Sequence, residues 1–324
     1  MKGQTLANRI TGFRTLLGTM LLTCLATPAM ASYSQIVAFG DSLSDTGNLF
    51  RLTSFLPTGG IPGAPYYQGR FSNGLVAVES MAAALGLPLT SQAIGGAQTG
   101  PGNEGGALLY GTGVSGQIQR YETSNHTLDA NALYFLWAGA NDFYTGNNIY
   151  STTTYLISSS NMLSNIRNLY DHGARDFFVP LMPDLSQTPK ALTSSAGYQS
   201  AALARTQEYN SALSTGLQSL SASLPGASIV VFDTPAFMQK TVPELAAAGL
   251  DVTDACYNAK FESVCSFQEQ YLFWDTLHPT NTGHWILGQA FAGAVQAVPE
   301  PAVLYLTALG LMSVMWARRK QRQR

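Results

Sequence analysis

The chain has 324 residues, of which 46% are hydrophobic and 11% are charged, and its formal net charge is −2. This composition excludes an intrinsically disordered chain, because such chains combine few apolar residues with a high net charge. The length is sufficient for one large folded domain with a substantial core.

The first 31 residues have the three parts of a secretory leader. Three basic residues lie within positions 1–14, an apolar run follows over 15–26, and Ala29-Met30-Ala31 supplies a cleavage site of small residues. This order is typical of a signal peptide, which is removed from the mature protein. A buried N-terminal helix is the alternative. We predict a signal peptide over 1–31, cut by signal peptidase, and hence an exported protein.

Behind the leader, short apolar runs alternate with helical patterns. The predicted strands are 35–39, 87–94, 132–137, 176–180 and 229–232. The predicted helices are 75–85, 115–121, 155–170, 194–223, 235–249 and 281–297. Strands separated by helices pair in parallel through right-handed crossovers. The pattern predicts a three-layer α/β/α sandwich over 32–297 with a mainly parallel, five-stranded, flavodoxin-like sheet.

The last 27 residues, 298–324, combine a Pro-Glu-Pro motif at 299–301, an apolar run at 302–317 and a basic tail. This arrangement resembles the PEP-CTERM sorting signal of Gram-negative bacteria. The resemblance implies a transient inner-membrane anchor that is removed or exchanged when an exosortase recognises the motif. It also implies a final location at the cell surface, in the outer membrane or in the extracellular matrix. A permanent single-span anchor is the alternative.

Removal of both ends changes the charge balance. Three of the 17 basic residues lie in the leader and five in the tail, and one of the 19 acidic residues is lost. The remaining nine basic and 18 acidic residues give a net charge near −9. Such a surface repels phosphate backbones, so we expect no nucleic-acid partner. No phosphate, dinucleotide or zinc motif occurs, so we expect no cofactor and no metal.

Two cysteines, Cys256 and Cys265, remain after the leader is removed. An even number of cysteines in an exported protein predicts a disulfide, and here it would close a short loop. A metal site is the weaker alternative, because it needs more ligands at close spacing. We therefore predict a Cys256–Cys265 disulfide shortly before the segment that contains Asp275 and His278.

Unusual residues follow three of the predicted strands. Ser42 follows the first, Gly95-Gly96 the second and Asn141-Asp142 the third. Because the carboxyl ends of parallel strands meet at one edge of a sheet, we expect these residues to lie close together. Ester hydrolysis by a serine also needs a base, an acid that orients the base, and donors for the oxyanion. Taken separately, each segment is also compatible with a structural role alone, as a tight turn or a helix cap.

Four segments resemble the conserved blocks of the GDSL, or SGNH, hydrolases, in the family's order. They are Gly40-Asp41-Ser42-Leu43, Gly95-Gly96-Ala97, Gly139-Ala140-Asn141-Asp142 and Asp275-Thr276-Leu277-His278. By position, the resemblance implies that Ser42 is the nucleophile, His278 the base and Asp275 its orienting acid. It also implies an oxyanion hole made of the N–H groups of Ser42 and Gly96 and the side-chain amide of Asn141.

Together these features predict an exported serine ester hydrolase, an esterase or lipase that acts on a small-molecule or lipid ester. An acyltransferase and a polysaccharide O-acetyl esterase that use the same site are alternatives. An alternative of another class is an inactive matrix protein that binds exopolysaccharide through its many Tyr and Trp residues. We expect loops 50–74, 95–113 and 250–272 to shape the pocket. His126, His172 and His284 are assigned structural positions.

Overall fold

The computed structural model describes residues 33–57, 59–297 and 318–319. Its central sheet consists of the parallel strands β1 (Ile36–Gly40), β2 (Leu89–Ser91), β3 (Leu133–Trp137), β4 (Asp176–Pro180) and β5 (Ser228–Phe232). Their order across the sheet is β2-β1-β3-β4-β5. The predicted five-stranded parallel sheet is therefore confirmed. β2 is shorter than its predicted span, although the N–H groups of Gln92 and Ile94 continue to donate to β1.

Each helix predicted from the sequence is present within a few residues of its expected bounds. The α-helices between residues 33 and 297 are α1 (Asn48–Thr53), α2 (Ala77–Leu85), α3 (Val114–Ser124), α4 (Ala140–Tyr144), α5 (Thr154–Asp171), α6 (Pro189–Leu192), α7 (Ala196–Ser223), α8 (Thr234–Ala247) and α9 (Asn281–Gln296). Short 3-10 helices occupy Tyr67–Gly69, Gly106–Leu109, Thr145–Tyr150, Leu185–Gln187 and Gln268–Gln270. The short helices α1, α4 and α6 were not predicted.

Two small strand pairs near the C-terminal end of the domain were also not predicted. β6 (Asp251–Ala255) pairs in parallel with β9 (Tyr271–Phe273). Between them, β7 (Tyr257–Asn258) and β8 (Ser263–Val264) form an antiparallel hairpin. These strands are short, and every residue of β6, β7 and β8 is at least partly exposed. They therefore lack the buried apolar runs that reveal the central strands in the sequence.

The sheet is covered on both faces because successive side chains of a strand point in opposite directions. Val37 and Phe39 of β1 pack in one core with the helices α3, α5 and α7. Ile36 and Ala38 pack in a second core with α2 and α9. Parallel strands that are buried on both faces read as continuous apolar runs, as β3 does. The result is the predicted three-layer α/β/α arrangement.

Residues Tyr33–Val295 form one compact unit. The predicted signal peptide over 1–31 and sorting signal over 298–324 lie outside the described residues, apart from 318–319, and they stay predictions. Among the helices of the described residues, none combines the length and the apolar character needed to cross a membrane.

Candidate active site

The turn that carries Ser42 begins where β1 ends. A side chain at Gly40 would place its Cβ 2.4 Å from the carbonyl oxygen of Trp137, so only glycine allows β1 and β3 to approach this closely here. Beyond it, the Asp41 carboxylate accepts a hydrogen bond from the Leu43 N–H at 3.0 Å. The Asp41 carbonyl accepts another from the Ser44 N–H at 3.0 Å. These two hydrogen bonds hold residues 41–44 in a tight turn that contains Ser42.

Asp45 connects this turn to the second glycine segment. Its side chain is fully buried. Its carboxylate accepts hydrogen bonds from the N–H groups of Gly47, Asn48 and Leu49 at the start of α1. It also accepts one from the Gly95 N–H at 2.8 Å. Burial raises the pKa of Asp45, against these backbone hydrogen bonds, which lower it. Asp45 thus ties the Ser42 turn to the segment that contains Gly96, a role that the sequence did not reveal.

His278 lies between Ser42 and Asp275. Its Nε2 is 2.8 Å from Ser42 Oγ. Its Nδ1 lies 2.9 and 2.8 Å from the two carboxylate oxygens of Asp275. The carboxylate also accepts from the backbone N–H groups of Leu277 and His278 at 2.8 Å each. In this arrangement the Ser42 hydroxyl donates to Nε2, and Nδ1–H donates to Asp275.

The pKa values of this pair suit a base and its counter-charge. Burial raises the pKa of Asp275, but the neighbouring His278 and the hydrogen bonds to the carboxylate lower it by more. The pKa of Asp275 therefore lies below its ordinary value. Burial lowers the pKa of His278, but the charge and hydrogen bond of Asp275 outweigh this, so it lies above its ordinary value. Asp275 is therefore ionised, and His278 is a stronger base than a free imidazole.

Three hydrogen-bond donors border the same cavity as Ser42 Oγ. Gly96 has a left-handed φ of 75°, a conformation that favours glycine. In the described part of the chain, neither the Gly96 N–H nor the Ser42 N–H has a hydrogen-bond partner. Asn141, at the start of α4, donates one side-chain N–H to the Ala97 carbonyl at 3.1 Å. Since a side-chain amide has two N–H donors, one remains for a ligand.

Two more buried carboxyl groups lie near these donors. Burial raises the pKa of Asp41 to about 7, against the hydrogen bond from Leu43. Burial also raises the pKa of Asp142 to about 6, although its carboxylate accepts from the N–H and the hydroxyl of Thr99. Through these two hydrogen bonds, Asp142 links α4, which carries Asn141, to the loop that follows Gly96.

The cavity in front of Ser42 has a volume of about 910 Å³. Ser42, Gly96, Asn141 and His278 all line it. Much of the remaining wall is aliphatic and includes Leu181, Leu185, Met238, Val242, Leu272 and Leu287. The predicted pocket loops contribute Phe71, Gly96, Glu104, Val252, Thr253 and Leu272, but residues 181–192, α7 and α8 supply more of the wall. Sequence reasoning did not identify these contributions, since aliphatic side chains on helices suggest core packing.

Cys256 and Cys265 form a disulfide. The next residue, Tyr257, stacks on Trp274 with ring centroids 5.6 Å apart. Its N–H also donates to the Trp274 carbonyl at 2.6 Å. The disulfide hairpin therefore packs against the segment that carries Asp275 and His278. No cluster of His, Cys, Asp and Glu side chains within the described ranges has the composition of a metal site.

A serine, a histidine and a carboxylate in hydrogen-bond contact at the carboxyl edge of a parallel sheet are typical of serine-dependent ester hydrolases. The chain belongs to the family of GDSL-like lipases and acylhydrolases, whose profile matches residues 36–291. The resemblance to GDSL hydrolases is therefore confirmed.

Relatives with known names agree with this assignment. The thermolabile hemolysin of Vibrio parahaemolyticus is 31% identical over 271 residues, which are 78% of this chain and 61% of the hemolysin. A GDSL esterase/lipase of Arabidopsis thaliana is 28% identical over 80% of this chain and 81% of its own length. The phosphatidylcholine-sterol acyltransferase of Aeromonas hydrophila is 30% identical over 55% of this chain and 53% of its own. The chain therefore spans only part of the hemolysin and of the acyltransferase.

Two solved structures are similar to this chain at low sequence identity. An α/β hydrolase named LAE5, from the metagenome of Lake Arreo, is 14% identical, with a TM-score of 0.48 over 82% of this chain and 96% of its own. The acetylxylan esterase Axe2 of Geobacillus stearothermophilus is 11% identical, with a TM-score of 0.46 over 83% of this chain and 96% of its own.

Proposed function

We propose that this protein is an exported serine carboxylic-ester hydrolase, a carboxylesterase or lipase, in which Ser42, His278 and Asp275 form the catalytic triad. The contact that carries the proposal is the 2.8 Å distance between Ser42 Oγ and His278 Nε2, with Asp275 on the opposite ring nitrogen. These residues come from distant parts of the chain, 236 positions apart for Ser42 and His278. Local turn geometry alone does not bring them together.

The reaction proceeds in two halves. Ser42 Oγ attacks the ester carbonyl while His278 Nε2 takes the hydroxyl proton, and Asp275 stabilises the imidazolium that forms. The negative charge on the carbonyl oxygen is stabilised by the N–H groups of Ser42 and Gly96 and by the Asn141 amide. His278 then gives the proton to the leaving alcohol, which leaves an acyl group on Ser42. Water, activated by His278, releases the acid and restores the serine.

The cavity favours esters with an extended apolar acyl chain. Its volume of about 910 Å³ lies near the upper end of the roughly 300–1,000 Å³ range of small-molecule sites. Aliphatic side chains from Met238, Val242 and Leu287 border it. An acetyl group would leave most of this apolar wall in contact with water, whereas a longer acyl chain would bury it. We therefore propose lipid-like esters as substrates in preference to acetylated polysaccharides.

Export is proposed from the two ends of the sequence. The leader over 1–31 supports removal by signal peptidase, and the Pro-Glu-Pro tail over 298–324 supports processing by an exosortase. On this basis the enzyme acts at the cell surface, in the outer membrane or in the extracellular matrix, where exopolysaccharide is a neighbouring component. Mass spectrometry of the protein from the native envelope tests both cleavages, because intact ends would contradict them.

A chain-length series of aryl esters tests the proposed function. The purified full chain should hydrolyse these esters, with kcat/KM higher for medium and long acyl chains than for acetate. Ser42→Ala and His278→Ala should each reduce the rate by a factor on the order of 10⁴ or more. A Ser211→Ala variant, which changes a serine on the cavity wall outside the triad, is the matched control. Full activity of Ser42→Ala would contradict the assignment, and a strong preference for acetylated polysaccharide would contradict the substrate class.

Acyl transfer is the second candidate reaction, because one relative is named as an acyltransferase. Hydrolysis and transfer share the acyl-enzyme and differ in the molecule that attacks it. Addition of a competing alcohol, with quantification of free acid and new ester, separates the two reactions. A product that is mainly ester at low alcohol concentration would identify an acyltransferase.

A further inference from the structure

We propose that Tyr66 is a positioning residue that holds the Asp275 carboxylate through a hydrogen bond from its phenolic hydroxyl. Tyr66 OH lies 2.8 Å from Asp275 Oδ2, and the two residues are 209 positions apart in the chain. The proposal rests on the proposed role of Asp275 as the acid that orients His278. Tyr66 is then the fourth side chain in the hydrogen-bonded series that begins with Ser42, His278 and Asp275.

Tyr66 completes the hydrogen bonding of a carboxylate that is largely shielded from solvent. Asp275 Oδ1 accepts from the backbone N–H groups of Leu277 and His278. Among the described residues, Oδ2 receives no backbone donor, and its partners are Tyr66 OH and His278 Nδ1. A shielded carboxylate oxygen with an unfilled acceptor position carries a desolvation cost. The phenol therefore stabilises the ionised form of Asp275 and restricts rotation of its carboxylate.

The Tyr66 ring is held by aromatic neighbours from two segments. Its centroid lies 5.6 Å from that of Tyr257, which follows Cys256 of the disulfide, and 6.2 Å from that of Trp274. On the other side it contacts Phe71 at 6.0 Å. Phe71 in turn packs on the His278 ring at 5.0 Å. The loop 50–74 thus contacts Asp275 through Tyr66 and His278 through Phe71.

Two observations separate Tyr66 from substrate binding and assign it the role of donor. Tyr66 does not contribute to the wall of the cavity, whereas Phe71 does. Burial and the charge of Asp275 raise the pKa of Tyr66 above its ordinary value, so the phenol is protonated throughout the working pH range. An O–H dipole directed at Asp275 offsets part of the negative charge that His278 experiences. Without this hydroxyl, the pKa of His278 should rise.

Tyr66→Phe tests the proposal, since it removes the hydroxyl and keeps the packed ring. We expect kcat to fall by about tenfold, in line with loss of a hydrogen bond to a charged group, with KM nearly unchanged. The acidic limb of the pH profile of kcat/KM should move to higher pH. In an Asp275→Asn background the same substitution should have little further effect, because the charge it supports is absent. Tyr67→Phe, at the exposed neighbouring tyrosine, is the matched control and should resemble the wild type.

Three results would overturn the proposal. They are wild-type kinetics for Tyr66→Phe, a loss of kcat without a shift of the pH profile, and an equal loss in Tyr67→Phe. The second would mean that Tyr66 only supports the fold. Failure of the proposed function itself would be distinguishable, since Ser42→Ala and His278→Ala would then keep their activity whatever Tyr66→Phe does.

Discussion

The side-chain amide of Asn141 provides the sharpest single test of the proposed oxyanion hole. It is one of three donors that border the cavity, with the N–H groups of Ser42 and Gly96, which have no partner among the described residues. In Asn141→Ala, kcat should fall by about 10²–10³, equivalent to about 2.7–4 kcal/mol of transition-state stabilisation. KM should change little, because the donor acts on charge that develops after the substrate has bound.

The same substitution also removes the hydrogen bond from Asn141 to the Ala97 carbonyl, 3.1 Å long. An unsatisfied carbonyl costs about 1–3 kcal/mol of unfolding free energy, which urea denaturation measures separately from kcat. Asn148→Ala is the matched control, because Asn148 donates to the Asp142 carbonyl over the same 3.1 Å and does not line the cavity. A folded Asn141→Ala enzyme that keeps kcat close to wild type, or an equal loss in Asn148→Ala, would refute the oxyanion hole.

Three further predictions concern pH and the disulfide. Since His278 must be neutral to act as a base and its pKa is raised, kcat/KM should fall with decreasing pH through a midpoint above about 6.5; a midpoint well below this value would contradict the pairing with Asp275. Cys256→Ser/Cys265→Ser should lower kcat, because the disulfide hairpin supports Trp274 through Tyr257. The far-UV circular dichroism of the sheet should be unchanged, and full activity of the variant would contradict this prediction. His284 is fully buried, and burial, with a smaller effect of His278, lowers its pKa to about 3. The stability gained by burying neutral His284 is therefore complete above pH 6.5. Below that pH the free energy of unfolding falls by about 1.4 kcal/mol per pH unit. The unfolding free energy of His284→Gln should accordingly fall less steeply below pH 6.5, and parallel curves would contradict the burial of a neutral imidazole.

The central sheet and the edge that carries the site could be predicted from the sequence because both depend on local patterns. β1 and β3 are continuous apolar runs, and each ends at a glycine or small polar segment. Parallel strands place these ends at one edge of the sheet. The family motifs then indicated which of the polar residues belong together, from Ser42 to His278.

The remaining features depend on contacts between segments that have no periodicity. Tyr66 lies in a loop rich in glycine and proline, and its bond to Asp275 spans 209 positions. Asp45 resembles an ordinary helix cap, and only the bond to the Gly95 N–H distinguishes it. The pairing of β6 with β9 joins two short segments across the disulfide hairpin. The aliphatic wall of the cavity uses residues such as Met238 and Leu287, which a sequence does not distinguish from core residues.

The central claim is that Ser42 is the nucleophile and that His278 activates it. Covalent labelling with a phosphonate ester, followed by peptide mapping in a mass spectrometer, tests this most directly. The claim predicts one adduct on Ser42, formed far more slowly in His278→Ala and blocked by a competing ester substrate. An adduct on another residue, or complete inhibition with Ser42 unmodified, would contradict it.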